Sequence, residues 1–266
     1  MIKTPWILAG LLALAALHPA PARAEDAPKP ICADRPSKGT SPCTDDAGHW
    51  QVEVDEFDVT RNRSGGVTTD TTVFASTNFK YGVTDRLDLE FNITPLQTQS
   101  VSNGGGRTSG FGDVTARAKF ALIPGDNAIS LLPSLKLPTA GAGLGNGAVE
   151  GGLTVPISLA LPGKVTLTLD PEVDALKDST GSGRHASYAL AVGASRALTS
   201  TVTGSVELWG GQDQDPGGHV TQASFDLGLA WIPAKMQTLQ LDGGVNVGLN
   251  HATPGAEVYV GISRRF

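Results

Sequence analysis

From Gly48 onward the chain alternates apolar and polar residues with a period of two, segment after segment, which commits it to strands with one greasy face. "KVTLTLDPEVDAL" is the clearest case. Val165, Leu167, Leu169, Pro171, Val173 and Ala175 fall on one face, and Thr166, Thr168, Asp170, Glu172 and Asp174 on the other. Leu87, Leu89, Phe91 and Ile93 alternate in the same way with Asp88, Glu90, Asn92 and Thr94. Val114, Ala116, Ala118 and Phe120 alternate with Thr115, Arg117 and Lys119. Val258, Val260 and Ile262 alternate with Glu257, Tyr259, Gly261 and Ser263. Twelve such segments begin near residues 49, 71, 86, 111, 128, 150, 164, 185, 200, 220, 237 and 256. Most run for about ten residues, the length a tilted strand needs to cross a bilayer. A slip of phase at Glu56-Phe57 predicts a bulge in the first.

The connections alternate too. "GVTDR", "IPGDN", "LPGK", "ALTS" and "IPAKMQ" read as tight turns. "TRNRSGGVTTD", "QTQSVSNGGGRTSG", "PTAGAGLGNGA", "KDSTGSGR", "GQDQDPGGH" and "NHATPG" read as longer loops rich in Gly, Ser and Asn. Short periplasmic turns and longer external loops are the habit of outer-membrane barrels. The expected fold is therefore all-β: a transmembrane antiparallel up-and-down β-barrel of twelve strands. A secreted sandwich also alternates, but its strands are shorter and its loops need not alternate in length.

Aromatic residues fit the same plan. Trp50, Tyr81, Phe120, Trp231 and Phe266 would form a periplasmic girdle, and Trp209 would sit near the opposite rim. A last strand ending at Phe266 is similar to the signal read by the barrel assembly machinery. Arg264, on its outward face, would reach lipid headgroups. Outer-membrane lipid and that machinery are thus the expected partners.

Residues 1–24 read as a secretory signal: Lys3, an apolar run from Trp6 to Leu17, and Ala22-Arg23-Ala24 as the cleavage site. This addresses the chain to the periplasm and, with a barrel, to the outer membrane of a Gram-negative bacterium. Residues 25–47 would be a periplasmic N-terminal segment and residues 48–266 the barrel. The formal net charge is −6, and nucleic acid is a poor partner for an acidic secreted chain. Cys32 and Cys43 are expected to form a disulfide in an oxidising compartment, worth roughly 3 kcal/mol in the loop-entropy model. Two readings of Asp34-Arg35-Pro36 stand side by side: a turn in a periplasmic lead-in, or a segment folded into the barrel mouth and stiffened by the Cys32–Cys43 loop.

With the apolar faces toward lipid, the polar faces line the lumen. Acids gather there: Asp88 and Glu90, then Asp113, then the column Asp170, Glu172 and Asp174. Glu207, Asp226 and Asp242 follow, with Glu53, Asp55 and Glu257 on the strands that close the barrel. Fewer bases face them: Lys80, Arg117, Lys119 and Lys136, with Arg265. The excess predicts a negative lumen that favours cations. Twelve strands lie between a barrel of eight filled by side chains and an open sixteen-stranded channel, so the lumen should be narrow and partly obstructed.

No constellation announces catalysis. His185, His219 and His251 lie in or near the external loops, with Ser182, Ser187 and Asp215 not far off. A Ser–His pair could serve lipid hydrolysis, but no motif supports a triad. The Gly-rich "NGGGRTSGFGD" does not open a helix, so it fails the context test for phosphate binding. No enzyme, metal or cofactor is expected.

Several stretches resemble the outer-membrane "transporter" family named for the meta-pathway of phenol degradation. Asp34-Arg35-Pro36, Ser41-Pro42 and "GHWQVE" from Gly48 are three of them. "KYGVTDRLDLEF" from Lys80 is the closest, followed by "GFGDVTARAKF" from Gly110 and "LKLPT" from Leu135. Ala140 departs from the family's usual Gly, and the Cys pair looks like an addition. The resemblance implies an outer-membrane barrel for small hydrophobic or aromatic compounds. The function expected is passive passage of small solutes. A scaffold, adhesin or receptor acting through external loops is the alternative, and a lipid-modifying enzyme the third.

Overall fold

The computed structural model describes residues 31–266, so the expected signal segment, residues 1–24, lies outside the described residues. One antiparallel sheet closes on itself, because β1 (Trp50–Ser64) pairs with both β2 (Val67–Thr84) and β15 (Ala256–Arg265). Fifteen strand segments build its twelve staves. β3 (Leu87–Ile93) and β4 (Leu96–Val101) share one stave, β5 (Gly106–Gly110) and β6 (Val114–Ile123) the next. β7 (Ala128–Leu137) precedes β8 (Glu150–Thr154) and β9 (Ile157–Leu161), which again share a stave. The rest are unbroken: β10 (Val165–Lys177), β11 (Arg184–Ala197), β12 (Val202–Asp213), β13 (Val220–Trp231) and β14 (Leu239–Gly248).

Two breaks fall at Pro95 and Pro156, which have no N–H for the ladder. The third, at Phe111–Asp113, docks on the first: the Gly112 amide donates to the Thr94 carbonyl at 2.9 Å. A Cβ on Gly112 would stand 2.8 Å from Thr94 Cβ, so only glycine allows that approach. The bulge anticipated at Glu56 is present, as a register shift between Asp55 and Phe57 against β15.

Burial is inverted relative to a water-soluble domain. Lys80, Asp88, Glu90 and Lys119 are fully enclosed, while Leu89, Leu190, Leu208, Leu229 and Val258 are exposed on the outside. A polar interior and an apolar exterior suit a wall that faces lipid, where every backbone group must be paired within the sheet.

Two stretches expected as external loops are strand instead. "TRNRSGGVTTD" continues β1 and β2 into a tight turn at Gly65-Gly66, both at positive φ (56° and 78°) as a two-residue hairpin turn requires. Its Thr and Val residues pair across the strands, and Arg61 holds Asp70 at 2.7 Å. Much of "QTQSVSNGGGRTSG" forms the β4–β5 hairpin in the same way.

Candidate functional site: a plugged lumen

Residues 31–48 cross the barrel interior, and they grip its two sides by different means. On the β1–β2–β3–β6 side the grip is ionic. Alternation places Lys80 on β2, Asp88 and Glu90 on β3, and Arg117 and Lys119 on β6 pointing inward, and pairing sets Lys80 opposite Glu90 and Glu90 opposite Arg117. Asp34 enters the middle of this group. Its carboxylate lies 2.5 Å from Lys119, 3.5 Å from Lys80 and 3.7 Å from Arg117. Glu90 backs the same cations, 2.5 Å from Arg117 and 3.3 Å from Lys119. The Asp34 amide donates to Glu53, and Lys80 and Gln51 donate to the Cys32 carbonyl at 3.1 and 2.7 Å. Asp45 donates its amide to Asp88 at 3.1 Å. Burial pushes the Asp45 carboxyl up, against the pull of Lys80.

Further round the barrel, Arg35 forks between Asp55 on β1 and Asp242 on β14. Burial alone would lower its pKa, but the two carboxylates outweigh that and raise it. The Tyr259 hydroxyl donates to the Pro36 carbonyl, and Arg265 reaches Asp46 at 3.0 Å.

On the β10–β12 side the grip is by backbone. The Lys38 and Gly39 amides donate to Glu207 at 3.0 to 3.2 Å. Gly39 lets the backbone come this close: a Cβ would meet Asp170 Oδ2 at 2.5 Å and Glu207 Oε2 at 2.8 Å, and both carboxylates would have to shift. Asp170 is buried without an ion-pair partner among the described residues. Glu172 accepts from Thr154 at 3.0 Å, and Asp174 lies beside Glu172. A cavity of about 600 Å³ opens beside the plug, lined by Thr166, Thr168, Ser195, Thr203 and Ser205 on this wall and by Ala121, Ala128 and Ser158 further round.

The Cys32–Cys43 disulfide is formed, with Cα atoms 6.1 Å apart, and ties the two ends of the loop that fills the lumen. Asp113 and Glu150 share Lys136 at 3.2 and 2.7 Å near the external end. Asp226 accepts from Ser224 at 3.1 Å. Trp50 packs on Tyr81 with centroids 4.7 Å apart; Phe120, Trp231 and Phe266 are exposed, and Arg264 lies over the Phe266 ring at 5.7 Å.

Trp209 was expected at the outer rim. It lies on the same face of β12 as buried Glu207, and its ring meets Lys38 inside the barrel. His185, at the start of β11, is held between Asp178 in the β10–β11 turn (2.9 Å) and Asp213 at the end of β12 (2.8 Å). Asp215 takes amides from Gly217 and Ser179, which hold its carboxyl below the usual range. Among the described residues no group of His, Cys, Asp and Glu is arranged to hold a metal.

A family model described as "Putative MetA-pathway of phenol degradation" matches residues 33–266. An outer membrane channel, COG4313, from Pseudomonas putida F1 superposes with a TM-score of 0.67 at 18% identity, covering 87% of this chain and 99% of that one. The beta domain of the Bordetella autotransporter BrkA superposes at 0.50 with 13% identity, over 84% and 100% of the two chains. No curated protein sequence matches the chain. The fold is thus that of Gram-negative outer-membrane barrels.

Proposed function

The chain belongs to the family described as "Putative MetA-pathway of phenol degradation", and from that premise we propose that it is a narrow outer-membrane channel for passive passage of small solutes. The observation that carries this reading is the one-sidedness of the plug. Ion pairs hold it against β1, β2, β6, β14 and β15, and none reaches β10–β12 among the described residues, where hydroxyls line part of a cavity of about 600 Å³. Its hydroxyl lining suits compact solutes with a polar group, and phenol, whose degradation the family description names, is of that kind. Passage is diffusive, down a concentration gradient. The polar face of each stave supports it by keeping the interior wet, while the apolar face seats the barrel in lipid.

Conductance across a planar bilayer tests the channel, with liposome swelling in phenol-sized solutes as its companion. Discrete conductance steps and solute flux are expected. A barrel that inserts and migrates as heat-modifiable on gels, yet gives neither steps nor flux, would defeat the reading and leave the external loops as the working part.

A further inference from the structure

Lys38 sits at the external tip of the plug in surroundings built for an ammonium group. Its Nζ lies 3.2 Å from Glu257 Oε2 and 5.6 Å from the centre of the Trp209 ring. A carboxylate beside an aromatic face is a recurrent way of holding an organic cation, because the ring's negative face adds to the carboxylate's charge. Trp209 shares the inward face of β12 with Glu207, although an aromatic ring at that end of a barrel ordinarily belongs on the lipid side. Acid also exceeds base here. Asp58 lies within reach of the Glu257 charge, and Asp226 and Glu207 both lie within reach of the Lys38 charge. Arg35, the nearest other cation of the plug, is engaged by Asp55 and Asp242. One ammonium thus faces three carboxyl groups, with Asp58 behind Glu257. Beside it a cavity of about 190 Å³ is lined by Trp209, Gln222, Ser224, Asn246, Thr253 and Glu257.

We propose that Glu257, Trp209 and the neighbouring acids form a binding site for short organic diamines, which Lys38 fills in the resting chain. One end of a diamine takes the place of the Lys38 ammonium between Glu257 and Trp209. The other takes up the remaining negative charge toward Asp226. Lys38 is then a tethered competitor. A tethered group acts at an effective concentration in the millimolar range, so it masks a site of sub-millimolar affinity by tenfold or more. The site does not depend on an open pore, since a ligand can reach it from the external side.

Calorimetry on the full chain in neutral detergent at low salt, with 1,5-diaminopentane as the probe, tests this. Lys38→Ala should bind the diamine at least tenfold more tightly than the unaltered chain. Adding Glu257→Gln or Trp209→Leu to Lys38→Ala should abolish that gain, and 1,5-pentanediol should bind to none of them. Heat-modifiable migration of each variant confirms an assembled barrel, and Trp209→Phe, which keeps an aromatic face, should retain part of the gain. No tighter binding in Lys38→Ala, or a gain that survives both second substitutions, overturns the site. Because binding is read in micelles, its failure is separate from a failure of solute passage.

Discussion

The lumen's two walls hold the same plug by opposite means. The β1–β3 and β6 wall supplies cations as well as acids, and the plug joins them through the side chain of Asp34. The β10–β12 wall supplies acids with no base among them, and the plug meets those through backbone amides. Side-chain ion pairs in an enclosed space are all-or-none, because removing one partner strands the other's charge. Backbone amides tolerate change, since any acceptor of similar shape will serve. The plug is therefore pinned on one side and lightly seated on the other, and the hydroxyls that line the free volume lie on the lightly seated side.

Breaking the pinned side should have the largest effect. Asp34→Ala leaves Lys80, Lys119 and Arg117 with one fewer counter-ion in a closed space. Losing one partner of a buried pair costs about 3–5 kcal/mol. The plug should loosen, single-channel conductance should rise several-fold, and the temperature of heat-modified migration should fall. Glu207→Gln is the matched change on the other wall. Its amide oxygen still accepts from the Lys38 and Gly39 amides, so the bonds become neutral and lose about half their strength. Conductance should change much less than with Asp34→Ala. Equal effects from the two substitutions would erase the distinction between the walls.

The barrel was legible because its signal is local. A period of two needs only neighbouring residues, and it located the segments and the Glu56 bulge. Overcounted loops at residues 60–70 and 97–110 came from reading Thr, Ser and Gly as loop residues. Above the lipid boundary a hairpin has no apolar face to betray it, and its Thr residues pair across strands instead. The breaks at Pro95 and Pro156 carry a local signal that the uninterrupted alternation masked. The plug was legible only as one of two readings. Its contacts join residues far apart in sequence, such as Asp34 with Lys119, Lys38 with Glu207 and Arg35 with Asp242. Nothing in the local pattern of any of these segments names its partner. Trp209 is the opposite case: its place two residues after Glu207 puts it on the polar face of β12 by the same alternation, and only its partner Lys38 lies beyond the local pattern.

The disulfide sharpens the comparison from the plug's side. It joins Cys32, whose carbonyl is held by Lys80 and Gln51 on the pinned wall, to Cys43, on the far side of the tip that carries Lys38. Replacing both cysteines by Ser frees the tip while leaving Asp34 and its cations in place. The barrel should still assemble, since its strands begin after the loop, and mean conductance should shift less than in Asp34→Ala. Current noise should grow as the tip moves against β10–β12. Intact mass of the oxidised parent should show two hydrogens fewer than the reduced chain. Alkylation of both thiols without reductant would remove the staple from the account.

The smallest expected effect concerns the acids of the lightly seated wall. Asp170, Glu172 and Asp174 form one inward column on β10 with no ion-pair partner among the described residues. Low-dielectric walls focus their field into the remaining passage, so cations should be favoured at low salt. Across the lumen, Lys80, Lys119 and Arg117 are neutralised locally by Asp34, Glu53 and Glu90, and contribute little net potential. Replacing the three acids by Asn, Gln and Asn keeps their size and their hydrogen-bonding oxygens, so the plug stays seated and conductance changes modestly. The reversal potential across a KCl gradient should nonetheless move toward zero selectivity. That shift should shrink as salt rises toward 1 M, where the screening length falls to about 3 Å. A parent channel that prefers anions, or an unchanged reversal potential in the triple variant at low salt, would transfer selectivity away from this wall and toward the plug itself.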